Sequence, residues 1–464
     1  MDYDVAIIGA GMSGLAAGIR LAYFDKKVCL FERHEVCGGL NSFYTRQGRR
    51  FDVGLHALTN YTPPGIRSAP LSKLLRQLRL DRKQFDLCPQ LASEICFPGV
   101  RLRFTNDLEV LTQEVAERFP AQIDGFRRLL EEVRGCDDLR LDAPWRSARE
   151  VLGRILKDRL LTEMLLCPLM YYGNAEERDM DFTQFVTMFK SIFCEGFARP
   201  RLGVRTILKT LLGRFRECGG TLRTRCGVER LVSDGTRVTG LELESGECVT
   251  ADVVLSSAGY FETMQRCSDT PEPPPVEEVG KLSFVESITI TDVPSAELGL
   301  DKTIVFFNDA ETFTYARPET PVDVHSGVIC CPNNFERHGD RSEGVIRMTS
   351  LANFGRWNGL DEETYVLRKR ECYDEIVTHA VSLGVISEFR HRAVCTDMFT
   401  PRTIHKYTGH INGAVYGTPR KHRDGRTQLK NLFVCGTDQG FLGIIGAMLS
   451  GITIANLHVL SNEF

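Results

Sequence analysis

The sequence lacks a strong charge of either sign. Its formal net charge is −4 over 464 residues, so the basic surface that nucleic-acid phosphates require is absent and nucleic acid is not an expected partner. It also lacks paired metal-binding cysteines. None of its 16 cysteines stands in a Cys-x-x-Cys pattern, and the one close pair is Cys330-Cys331. Zinc and dithiol-redox motifs are therefore unsupported, and no metal is expected. Tryptophan is scarce, with two residues, Trp145 and Trp357. There is no internal repeat and no low-complexity tract. The start, Met1-Asp2-Tyr3-Asp4, has no basic stretch leading into an apolar run, so no secretory signal is expected. Unpatterned cysteines then point to a reducing, cytoplasmic setting. A clean transmembrane helix is missing too. The nearest run, Phe441 to Leu460, carries Gly443, Gly446, Ser450, Gly451, Asn456 and His458 and has no basic flanks. What remains is an ordinary globular composition, 42% hydrophobic and 25% charged, on a chain too long for one core. Two domains are expected.

The amino terminus carries the first motif. Asp4 to Ile8 is a short β-branched apolar run, as in a buried parallel strand. It leads into Gly9-Ala10-Gly11-Met12-Ser13-Gly14, then a helical stretch, Leu15 to Tyr23, then a second strand, Lys27 to Phe31, ending at Glu32. Each part has a chemical reason. Gly9 permits a tight turn, Gly11 lets a pyrophosphate approach the backbone, and Gly14 lets the helix pack on the strand. The helix N-terminus offers N–H groups to phosphate. Glu32 stands where an acid accepts hydrogen bonds from a ribose, and it repels a 2′-phosphate. A dinucleotide other than NADP follows.

This fingerprint does not separate NAD from FAD. Gly38-Gly39 and Phe51-Asp52-Val53-Gly54 do. Here the sequence resembles the FAD-binding amine oxidases, phytoene desaturases and carotenoid isomerases. The resemblance implies a double glycine after the ribose-binding acid, with Arg33, Gly38, Gly39 and Leu40 beside the cofactor. The family usually continues with Arg or a small residue; Leu40 and Asn41 depart from that.

In the middle, Thr206 to Arg216 reads as a helix capped at Gly219-Gly220. Thr221 to Arg225, Val228 to Val232, Arg237 to Leu243 and Cys248 to Val249 read as a β-meander, with Asp234-Gly235 and Ser245-Gly246 at turns. A strand over Asp252 to Leu255 follows. By the resemblance, this is the second FAD-domain segment, and Val228 meets the adenine through its backbone. The expected fold is α/β: a Rossmann-like FAD-binding domain, parallel sheet plus meander, from residues 1–60, 200–265 and 410–464. An α+β substrate domain from 61–199 and 266–409 is inserted into it, with Asp269 and Pro271 to Pro275 as a linker.

At the carboxy end, the strand Leu432 to Cys435 leads into Gly436-Thr437-Asp438, a Gly-rich turn and a helix opening at Ala447. The resemblance implies Gly436 and Asp438 at the ribityl chain, and Gly446, Ala447 and Met448 at the flavin ring, where a helix N-terminus stabilises negative charge on the reduced flavin. Two departures stand out. Asp438 falls one residue late, and the usual Pro-Gly is absent.

For chemistry, His56 in Gly54-Leu55-His56 is the candidate catalytic residue; the tripeptide resembles plant-type desaturases, with Gly-Gln-His in hydroxysqualene dehydroxylase. Thr400 to Thr403 and Tyr407 to Gly417 resemble carotenoid isomerases and desaturases. Leu160 to Tyr172 reads as a core helix or the wall of an apolar tunnel. Arg67 to Lys83, basic with Leu71, Leu74, Leu75 and Leu78 on one face, reads as an interfacial helix on the inner membrane face or as a solvated helix over the substrate domain. Three functions stay open: a desaturase or isomerase of a hydrophobic isoprenoid, with a hydroxysqualene dehydroxylase-like enzyme as a variant; a flavin amine or protoporphyrinogen oxidase; and a flavin-binding scaffold without chemistry. The oligomeric state is not legible.

Overall fold

The computed structural model describes residues 2–461 apart from 55, 139, 141, 268–274, 276 and 337–341. Leu55 and most of the Asp269–Pro275 linker thus lie outside the described residues. The first apolar run forms the strand Tyr3–Ile8, the centre of a five-stranded, all-parallel sheet. The order across it is Leu432–Val434, Ala251–Ser256, Tyr3–Ile8, Val28–Phe31 and Thr221–Arg223.

Alternation along these strands explains why they read as unbroken apolar runs. Val5, Ile7, Val28 and Leu30 pack against helices, whereas Ala6, Ile8, Cys29 and Phe31 pack against the meander. Both faces are covered, so neither can be polar. The meander is three-stranded: Val228–Ser233, Val238–Leu243 and Cys248–Val249. The expected first meander strand, Thr221 to Arg225, is instead Thr221–Arg223 at the edge of the parallel sheet, with Thr221 opposite Cys29. The helix Val204–Glu217 acts as a crossover that returns the chain parallel to Val28–Phe31.

On the helical face, Met12–Ala22 lies against the carboxy-terminal helix Gly443–Ala455. A Cβ on Gly451 would come within 2.0 Å of the Ser13 carbonyl oxygen. Residues 443–460 are the one helical stretch, among the described residues, long and apolar enough to cross a membrane, and 61% of it is buried inside the fold. The Arg67 to Lys83 segment is corrected here as well. It contributes the helix Pro70–Leu78, whose Leu71, Leu74, Leu75 and Leu78 are all buried in the same cluster as Val5 and Ile7. The leucine face is spent on the fold, and by packing it sits with the nucleotide sheet.

The remaining chain builds a seven-stranded sheet. Its order is Ala393–Phe399, Ser283–Thr291, Gly344–Ala352, Ser326–Cys330, Ile304–Asn308, Ser93–Phe97 and Val100–Phe104. Ile304–Asn308 and Ser93–Phe97 run parallel, and this pair joins the two sequence blocks 61–199 and 266–409. Helices including Arg159–Gly173 and Phe182–Phe189 cover one face, and Glu362–Ser382 covers the other. Every residue from Leu161 to Gly173 is buried, so this segment is a core helix.

Candidate cofactor cradle and the charged pocket beside it

The first turn of the fold leaves a space. Gly9 has φ +92°, which only glycine adopts without strain. A Cβ on Gly14 would stand 2.1 Å from the Gly9 carbonyl oxygen, so Gly14 is required by packing. Gly11 is different. Its φ of −73° and ψ of −179° suit any residue, and a Cβ there would meet nothing within 4 Å. The open volume in front of Gly11 is what a pyrophosphate needs. No side chain caps the helix at Met12 and Ser13, so its leading N–H groups stay available to a phosphate. Gly38 bridges to Gly11 and donates its N–H to the Ala10 carbonyl at 2.9 Å, with Gly39 beside it. Glu32 is buried at the end of Val28–Phe31. Its carboxylate accepts from the Ala10 and His34 N–H groups, each at 2.9 Å. The residues present fit a dinucleotide.

Other expected contacts are placed less directly. The Arg33 guanidinium donates to the Lys406 carbonyl at 3.2 Å, tying the cradle to the 400s segment. Leu40 presents its carbonyl to Gly54, and Val228 buries its side chain while its carbonyl accepts from Arg266 at 3.2 Å. Asp438 is 1% exposed. Its two oxygens accept from the backbone N–H of Tyr260 at 2.5 Å and of Thr418 at 2.7 Å. A Cβ on Gly417 would overlap it at 1.9 Å. Asp438 is therefore a tie between three chain segments. The last helix begins at Gly443, four residues before the expected start at Ala447, so Gly446, Ala447 and Met448 lie in its opening turns. It has no capping side chain and no acid in its first turn, which leaves the positive end of its dipole uncompensated.

Residues 53–54 and 56–60 lie between these two features. Gly54 packs on Leu40 at the cradle, and Thr59 lies 3.7 Å from where a Cβ on Gly443 would be. His56 sits between. Leu58 pairs with Ala198 on both sides of its peptide unit, which fixes the loop. The His56 imidazole Nε2 is hydrogen-bonded with Thr349 Oγ1 at 2.9 Å and lies 3.8 Å from Glu286 Oε1. Tyr172 stands beside it, ring centroids 6.3 Å apart, with the tilted rings of Phe197 and Phe306 behind it at 5.0 and 5.6 Å. The Tyr172 hydroxyl has no hydrogen-bond partner among the described residues.

Sequence reasoning missed the charges around this histidine. Arg199 is paired with Asp52 at 2.5 Å, and Arg347 with Glu286; all four side chains are under 10% exposed. Arg205 adds a second contact to Asp52 at 3.5 Å. Arg199 also donates to the His56 carbonyl at 3.0 Å. Burial holds the imidazole well below its ordinary pKa, and the Arg347 and Arg199 cations push it the same way, so His56 is neutral at pH 7. A signal was present: Glu286 and Arg347 are the lone charges in two otherwise uncharged strands, Ser283–Thr291 and Gly344–Ala352. Lys421 was missed too. Its ammonium donates to the Tyr416 carbonyl at 2.6 Å and the Thr437 carbonyl at 3.1 Å, beside the Gly-rich turn, and burial pushes it down to about 8.

The comparisons agree with this geometry. A family model described as flavin containing amine oxidoreductase matches residues 12–457. Prolycopene isomerase 2 from an Oncidium hybrid cultivar is 20% identical over 98% of this chain and 83% of its own length. All-trans-retinol 13,14-reductase from Danio rerio is 23% identical, over 99% and 86%. Among solved structures, an oxidoreductase from Methanosarcina mazei has the same fold, with a TM-score of 0.69 at 14% identity over 97% of this chain and 99% of that one.

Proposed function

The chain belongs to the family of flavin containing amine oxidoreductases, and on that premise we propose that its substrate is a long, apolar isoprenoid polyene, reacting at an allylic carbon. The protein is an FAD-dependent oxidoreductase. Bound FAD supplies a hydride acceptor or donor, and the chain supplies binding, orientation and electrostatics. The Gly9 to Gly14 turn and the N-terminus of Met12–Ala22 would hold the pyrophosphate, Glu32 would hold the adenosine ribose, and the N-terminus of Gly443–Ala455 would lie beside the flavin ring. Asp438 ties the Gly436 segment to Tyr260 and Thr418.

The observation that carries the substrate class is the charge balance around His56. Both nearby acids, Asp52 and Glu286, are neutralised by buried arginines, and the imidazole is uncharged. An ammonium substrate would meet no net negative charge there. A neutral hydrocarbon meets Tyr172 and the aromatic side chains behind it. The two full-length relatives carry polyene substrates in their names, which supports the same reading. His56 takes or returns a proton at Nε2; a weak base suffices, because a positive charge delocalised along a polyene makes the adjacent C–H acidic. Anchorage to a lipid surface, if the substrate resides there, falls to the exposed Arg67, Lys73, Arg76, Arg79 and Lys83 through attraction to anionic headgroups.

The test is anaerobic reduction of the FAD-loaded protein in liposomes carrying phytoene, ζ-carotene, a cis-lycopene or hydroxysqualene, followed by product chromatography. Flavin bleaching or product formation with a polyene is expected. Rapid bleaching by an amine or a porphyrinogen, with none by any isoprenoid, would move the protein to the oxidase class.

A further inference from the structure

The seven-stranded sheet carries a second cluster of chemistry-bearing side chains, which the cofactor region does not use. Strands Ile304–Asn308 and Ser326–Cys330 pair with Asn308 opposite Ser326. One residue further on each chain stand Asp309 and His325, still joined by the Asp309 N–H to the His325 carbonyl at 2.9 Å. His325 Nδ1 lies 2.6 Å from Asp309 Oδ2. His379, from the covering helix Glu362–Ser382, brings its Nε2 to 2.8 Å from the same oxygen. The two imidazole rings are nearly perpendicular, at 79°, with centroids 5.5 Å apart.

The backbone of His325 is held in place from behind. Asp323 accepts the His325 N–H at 3.0 Å and the Ser326 hydroxyl at 2.7 Å, and Ser326 is hydrogen-bonded with the Tyr171 hydroxyl at 2.8 Å. The cluster is thus anchored to the buried helix Arg159–Gly173. Such fixing of ligand-bearing residues is what metal sites use.

Two imidazoles from separate elements converge on one carboxylate oxygen, and the three ligand atoms lie within 4.8 Å of one another. A divalent ion among them would satisfy both nitrogens and the oxygen at about 2.0–2.2 Å each, with slight widening of the present contacts. Two imidazoles and one carboxylate are a donor set that zinc accepts. His325 is 69% exposed at its side chain, so the fourth position faces solvent.

We propose that Asp309, His325 and His379 form a Zn²⁺ site that clamps the helix Glu362–Ser382 to the end of the substrate-domain sheet, with a water in the open position. It is independent of the substrate proposed above.

The experiment uses the full-length, FAD-loaded protein, stripped with EDTA and desalted. ZnCl₂ is titrated by calorimetry, and Co²⁺ is added in parallel to read ligand-field bands. One Zn²⁺ per chain is expected, with a rise in melting temperature. The His325→Ala/His379→Ala variant should lose more than about 100-fold in affinity, beyond the typical loss for a supporting residue, and should lose the thermal shift while keeping its flavin spectrum. Asp309→Asn should weaken binding and change the Co²⁺ bands. Absence of stoichiometric uptake by the unmodified protein, or equal uptake by the double variant, overturns the site.

Discussion

The cradle and the pocket beside it solve opposite problems. Around Gly9, Gly11 and Gly14 the groups open to a ligand are backbone amides, with the buried carboxylate of Glu32 beneath them. Around His56 the groups are side chains, brought from positions as distant as 52, 199, 286 and 347. The first region keeps open volume in front of Gly11, and the second keeps each buried acid paired with an arginine. The lesson is that a turn of glycines and peptide dipoles is built by neighbouring residues, whereas a set of buried charge pairs is built by residues the tertiary fold brings together.

The largest expected effect separates binding from folding within the cradle itself. Gly11→Val places its branch in open space at an ordinary backbone conformation. It should abolish flavin retention, read as loss of the visible spectrum, while the apoprotein's unfolding free energy stays within the range of a neutral surface change, about 0.5 kcal/mol. Gly14→Val should do the reverse, failing to accumulate as folded protein, because its Cβ meets the Gly9 carbonyl at 2.1 Å. If both variants behave alike, the distinction between space for a ligand and space for packing is wrong.

Next comes the pocket. Arg347→Met strands Glu286 as a buried unpaired acid, and should cost about 3–5 kcal/mol in urea denaturation. Arg347→Met with Glu286→Leu should recover most of it. A small single-variant loss would mean that the pair is hydrated and that the pocket is not a low-dielectric one. In the cradle, Glu32→Ala should weaken FAD binding by roughly 1.5–3 kcal/mol per charge-assisted hydrogen bond lost, measured by flavin titration of the apoprotein.

The smallest effect compares two histidines. The Asp309 hydrogen bond raises the His325 pKa above its ordinary value. Asp309, His379 and Asp323 are the titratable groups that face it. A raised folded-state pKa gives stability that is complete below the unfolded value of about 6.5 and is lost as pH rises through the folded one. The stability gap between the metal-free protein and His325→Gln should therefore be widest in acid and close in alkali. It should remain under about 1 kcal/mol, because the side chain is mostly exposed and screened. His56 runs the other way. Its folded-state pKa lies far below the unfolded one, so it contributes stability present above about 6.5 and lost as pH falls. Thermal melts from pH 5 to 9 on His325→Gln and on His56→Gln check both signs.

Much of the nucleotide region was legible, because its determinants are local. Strand, turn, helix, strand and acid follow one another within one βαβ unit, and each position's residue type follows from backbone geometry or close approach. The edge strand Thr221–Arg223 was misread into the meander because pairing partners are not written in a strand's own residues; the crossover helix before it decides them. The Leu71 to Leu78 face was correctly read as amphipathic. Its occupant was not legible, since a leucine stripe looks the same against a bilayer and against Val5 and Ile7.

The α/β class, the glycine turn between the first strand and its helix, and the acid that ends the second strand all follow from the sequence alone, as consequences of local sterics and peptide dipoles acting over a few residues. Only the tertiary structure decided that Asp438 ties three segments together, that His56 is neutral between two arginine–carboxylate pairs, and that Asp309, His325 and His379 converge. These depend on which strands neighbour one another and on how deeply charges are buried. Neither is a property of any short stretch of chain, because Coulomb and desolvation energies follow distance in space and not distance along the sequence.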